Sequence, residues 1–73
     1  MVENTGEILV KINGEERSVP AGKSVRGLLD YLGIEADRVA VELDRKIVRK
    51  GDWARTMVGA GAEVEIVMFV GGG

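Results

Sequence analysis

Seventy-three residues allow one small domain, and a chain of this length buries only about 60% of the surface its unfolded form exposes. The sequence has no Cys and no His, which excludes disulfide staples, thiolate or imidazole metal ligands, and the Cys, His-base and Ser-His-Asp routes to side-chain catalysis. Ten Lys and Arg against twelve Asp and Glu leave a net charge of −2, so the chain is no nucleic-acid polycation, and 45% apolar with 30% charged residues reads as a soluble globular domain.

In chain order, residues 1–6 read as a short flexible extension. Glu7 to Ile12 alternates, with Ile8, Val10 and Ile12 on one face and Leu9 and Lys11 on the other, the pattern of a strand with one face to the core. Asn13-Gly14 is the dipeptide that most readily takes φ > 0 at both central positions of a tight turn, so Glu15 to Val19 should return as the second strand of a hairpin. Pro20 to Lys23 breaks that strand, and Ser24 stands where an N-cap hydroxyl belongs. Val25, Leu28, Leu29 and Leu32 then form one apolar helical stripe, closed by Gly33 in the left-handed region. Gly27 within this helix costs about 1 kcal/mol relative to Ala, and a close approach of helix to sheet is the expected reason for it.

Glu35 to Arg38 is a polar connection, and Val39 to Leu43 alternates as a third strand with Val39, Val41 and Leu43 inward. Asp44-Arg45 turns the chain, Lys46 to Arg49 can form a short edge strand, and Gly51 to Met57 reads as an irregular turn. Trp53 in that turn should plug one end of the sheet rather than hold a ligand. After a turn at Gly59-Ala60-Gly61, Glu63 to Val70 is the most β-prone segment. Val64, Ile66 and Met68 share one face, and Glu65, Val67 and Phe69 the other. The order predicts an α+β domain over 7–70, a ubiquitin-like β-grasp. Its mixed sheet of four to five strands carries one main helix on one face, with the first and last strands parallel at the centre. No apolar run approaches the roughly 20 residues that span a bilayer, and the polar start MVENTGE carries no export signal, so a cytoplasmic protein without membrane contact is expected.

Several candidate sites carry little chemistry. Gly59-Ala60-Gly61 lacks the spacing, helix and Lys of a phosphate-binding loop, and the pairs Glu15-Glu16 and Glu63/Glu65 read as solvated carboxylates. From Arg38 to Arg55, six basic residues against three acidic ones give a local charge of +3, leaving −5 for the rest. Protection of an edge strand explains this stretch best. Docking of an acidic partner is the sharper alternative, and direct nucleic-acid binding is not expected with Trp53 as the only nearby aromatic.

The end of the sequence is the feature these readings leave unexplained. Gly71-Gly72-Gly73 follows directly on an apolar strand, adds nothing to a core, and should be mobile. Extended, it reaches roughly 10 Å, and without side chains it can enter a channel too narrow for other residues. As residues alone, this fits either delivery of a terminal carboxylate into another protein's active site or a frayed end.

The run Val64-Glu65-Ile66-Val67-Met68-Phe69-Val70-Gly71-Gly72-Gly73 resembles the terminal signature of the ThiS family, the sulfur carrier proteins of thiamine biosynthesis. Upstream, Asn13-Gly14-Glu15, Leu28-Leu29, Val39-Ala40-Val41-Glu42 and Ile47-Val48 before Trp53 fall in the family's order and approximate spacing. The resemblance implies a protein cosubstrate rather than an enzyme, with no cofactor or metal of its own. Gly73 would be adenylated by an ATP-dependent activating enzyme and converted by a persulfide donor to a thiocarboxylate. Gly71 and Gly72 would thread the active-site channels, and thiazole synthase would receive the sulfur. Docking would then use the face beside the tail, where Val67, Phe69 and, if the first and last strands pair, Leu9 would form an apolar patch rimmed by Glu42 and Glu65. Sulfur delivery for molybdopterin synthesis or tRNA thiolation, and conjugation to target proteins through Gly73, are the alternatives.

Overall fold

A computed structural model of the chain describes residues 6–69. Five strands, β1 (Glu7–Ile12), β2 (Glu15–Pro20), β3 (Val39–Leu43), β4 (Lys46–Val48) and β5 (Glu63–Met68), form one sheet that accompanies a single α-helix, α1 (Val25–Leu32). The sheet order is β2-β1-β5-β3-β4, with β1 and β5 parallel at the centre and every other pair antiparallel. This is the ubiquitin-like β-grasp anticipated from the pattern, in its five-stranded form because Lys46–Val48 pairs along β3. No helix among the described residues is long and apolar enough to cross a membrane.

Local chemistry sets the turns and the helix ends. Asn13 and Gly14 sit at φ 52° and 86°, which closes the β1–β2 hairpin, and Asp44 and Arg45 at 51° and 72° close the β3–β4 hairpin in the same way without a glycine. The Ser24 hydroxyl accepts from the Gly27 N–H at 3.1 Å. At the other end Gly33, at φ 74°, lets its own N–H and that of Ile34 reach the carbonyls of Asp30 and Leu29. Gly27 does not mark a close approach to the sheet. A Cβ there would meet only the Ser24 hydroxyl and the Lys23 side chain, at 3.5 to 3.8 Å, which is ordinary contact.

The core lies between α1 and one face of the sheet. Val25, Leu28 and Leu29 pack on Val10, Val19, Val41 and Val64, all almost completely buried, while Leu32 lies at the margin. The stretch expected as an irregular turn is a 3₁₀ segment, Lys50–Arg55, lying against α1. It inserts Trp53 into the core, where its indole N–H donates to the Val48 carbonyl at 2.8 Å, so the plug reading holds. The polar connection before β3 likewise contains a 3₁₀ turn, Ala36–Arg38.

Met68 stays on the face of Val64 and Ile66, opposite the buried Val39, yet is 62% exposed. An eight-residue helix is about 12 Å long, whereas a six-residue strand is about 20 Å. The exit end of β5 therefore runs out from under α1, and an open groove bounded by Leu32, Ile34, Ile12, Ile66 and Met68 lies there. Strand β5 ends at Met68, and Val70, expected within it, lies outside the described residues.

Candidate functional site

The face of the sheet turned away from α1 carries the candidate site. Directly opposite residues in an antiparallel pair share a face, so the register decides its members. Glu42 lies opposite both Glu65 and Ile47, and Ala40 lies opposite Val67. Two residues beyond Val67, Phe69 continues the alternation and donates its N–H to the Arg38 carbonyl at 2.8 Å. Val67 is 55% exposed and Phe69 57%. Glu65 is exposed and Glu42 half-buried, so these four predicted docking residues form one continuous surface at the exit end of β5. Gly71, Gly72 and Gly73, predicted to be the modified and threading residues, lie outside the described residues.

Leu9 does not join this surface. It is exposed on the same face, but parallel pairing sets Lys11 opposite Glu63, and the Gly61 N–H donates to the Leu9 carbonyl at 2.7 Å. Leu9 is thus level with Gly61, six residues along the chain from Val67 and roughly 20 Å away at strand rise. Strand β1 ends before it can flank Val67.

Ile47 takes the place that Leu9 was given. At 74% exposure it is the most exposed of the large apolar residues among the described residues, and it stands on β4 directly across from Glu42. Its signal was present in the alternation of Lys46–Val48, where Val48 packs toward the core and Ile47 must point away. The surface therefore reads Ile47, Ala40, Val67 and Phe69 around the pair Glu42 and Glu65. Two carboxylates directly opposite one another repel, a placement that costs folding free energy.

The basic stretch is partly neutralised by carboxylates of the same domain. Arg55 bonds Asp52, Arg45 lies 3.7 Å from Glu63, and Lys50 bonds Asp37, whose carboxyl is thereby held below the usual carboxylate range. Strand β4 is an outer strand of the sheet, so the exposed Arg45 and Lys46 stand where edge protection requires charge. Among the described residues no three carboxylates gather in a metal-binding arrangement.

Comparison with known proteins bears on the same region. The model of the ThiS family matches residues 10–73. A thiazole synthase from Paramagnetospirillum magneticum is 47% identical over 62 residues, which make up 85% of this chain and 19% of that protein. A second, from Magnetococcus marinus, is 34% identical over 64 residues, or 20% of its length, so the chain spans about a fifth of the thiazole synthases it matches. The uncharacterized protein ycf40 of Porphyra purpurea is 32% identical over 66 residues, covering 90% of this chain and 93% of that one. Among solved structures, the thiamine biosynthesis protein ThiS from Geobacter metallireducens superposes with a TM-score of 0.79 at 30% identity, covering 90% of this chain and all of that one.

Proposed function

Because this chain belongs to the ThiS family, we propose that it is a sulfur carrier of thiamine biosynthesis, a cosubstrate whose chemistry is done by other proteins at the Gly73 carboxylate. A terminal carboxylate is ionised at neutral pH and resists nucleophiles. An activating enzyme would let it attack the α-phosphorus of ATP, releasing pyrophosphate and forming an acyl-adenylate. A persulfide sulfur would then add to the acyl carbon and expel AMP. A thiol then attacks the donor's sulfur of the resulting acyl disulfide, forming a disulfide with the donor and releasing the thiocarboxylate and the thiol's proton. Gly71 and Gly72 carry no side chain to obstruct the channels this traffic requires.

The observation that carries this reading is the family match running through Gly73, over the strand whose exit end bears the open patch. Stretches like this chain within two proteins named thiazole synthase support thiazole synthase as the sulfur acceptor. The activating enzyme and the acceptor must take turns on one tail, so a single docking surface beside it serves both. Consumption of ATP by the activating enzyme fits a cytoplasmic site of action.

The test is pyrophosphate exchange by a ThiS-activating adenylating enzyme with this protein as substrate. Exchange is expected with the intact chain and none after deletion of Gly72 and Gly73. Equal exchange by the shortened chain would contradict the proposal.

A further inference from the structure

At its exit end β5 has neighbours of unequal length. On one side β3 stays in register as far as Phe69. On the other, β1 stops at Ile12, because Asn13 and Gly14 turn the chain into β2, and its ladder closes with the Asn13 N–H donating to the Val64 carbonyl at 2.8 Å. The bonds Asp44 N–H to Glu63 C=O and Phe69 N–H to Arg38 C=O make the odd-numbered residues of β5 the hydrogen-bonded partners of β3. Even-numbered residues then turn their main-chain groups to the β1 side, and the next pair there belongs to Ile66. With β1 ended, that N–H and C=O would face the open groove.

The Asn13 side chain takes both. The Ile66 N–H donates to Asn13 Oδ1 at 2.7 Å, and Asn13 Nδ2 donates to the Ile66 carbonyl at 3.2 Å, a link across 53 residues of sequence. A carboxamide offers one acceptor and one donor in the arrangement of a peptide unit, so it acts as one more rung of the ladder. The turn itself does not require this, since Gly or Asp also adopts the positive φ of the first turn position. Only the carboxamide meets both groups of Ile66.

We propose that Asn13 is a positioning residue for the transfer reaction. Through Ile66 it fixes the exit end of β5 from the side that β3 does not reach, three residues before Phe69. It thereby fixes where residues 71–73 are presented to the activating enzyme. This role rests on the carrier reading above.

Asn13→Gly separates the two functions of the residue, because it keeps the positive-φ turn and deletes the rung. Asn13→Asp is the second variant. It keeps the turn and the bond from the Ile66 N–H, sets a carboxylate oxygen against the Ile66 carbonyl, and carries the comparison should the glycine variant not fold. In the free protein the Ile66 amide of Asn13→Gly should exchange roughly tenfold faster, as loss of one hydrogen bond of about 1.4 kcal/mol implies. In the pyrophosphate-exchange assay its kcat should fall roughly 10- to 100-fold, the cost of a misplaced reacting group, while KM stays within about twofold because Val67, Ile47 and Phe69 are untouched. Unchanged Ile66 exchange, an unchanged kcat, or a rise in KM alone would each overturn the positioning role while leaving the carrier reading intact. An intact chain that is never adenylated would instead remove the carrier reading, and this role with it.

Discussion

Gly27 and Trp53 show how differently single residues constrain this fold. A Cβ at position 27 meets only ordinary contacts, so Gly27→Ala should stabilise the protein by up to about 1 kcal/mol through helix propensity. Thermal unfolding should register this as a rise of roughly 4–8 °C per kcal/mol for a domain of this size. A lower midpoint would show that the Lys23–Ser24 cap cannot accept the methyl group. Trp53→Phe keeps an aromatic plug but strands the Val48 carbonyl that the indole N–H now serves. Urea denaturation followed by circular dichroism should show a loss of about 1–3 kcal/mol. The helix was legible because its signals are local, from the Ser24 cap through the Val25, Leu28 and Leu29 stripe to Gly33. The reason for Gly27 was not, since a close approach is a property of packing. The reach of Asn13 to Ile66 spans most of the chain, and no local pattern announces it.

Strand β5 builds the core with one face and offers the other. Val64 and Ile66 are buried, while Glu65, Val67 and the following Phe69 are exposed. Phe69→Asp should therefore weaken docking to the activating enzyme, seen as a raised KM, and leave the unfolding midpoint nearly unchanged. Loss of the folded state would instead make Phe69 a core residue. Glu65→Lys exchanges a repelling pair with Glu42 for an attracting one and should stabilise the fold by about 0.2–1 kcal/mol. If the acidic pair meets a cationic partner, the same change raises KM. A gain in stability with no change in KM would remove Glu65 from the docking face. The alternation of Glu63 to Met68 made this two-faced strand readable in the sequence, but the fate of Leu9 and Ile47 depended on register. Parallel pairing of Lys11 with Glu63 carries Leu9 to the far end, and antiparallel pairing of Glu42 with Ile47 brings Ile47 in. Alternation gives the face of a residue and leaves its height along the sheet open.

As a whole the molecule is one core under one helix, with an uncovered sheet face at the end from which the glycines follow. The short helix is part of that design, because it leaves the exit end of β5 free of cover on its own side as well. The central proposal is that other proteins act on this one at Gly73. Intact-mass spectrometry after incubation with the activating enzyme, ATP, a persulfide donor and a thiol reductant tests this most directly. The account predicts the mass gain of a single oxygen-to-sulfur exchange, located on Gly73 and lost on reaction with thiazole synthase. An unchanged mass, or adducts of the whole chain on lysines of other proteins in its place, would contradict it.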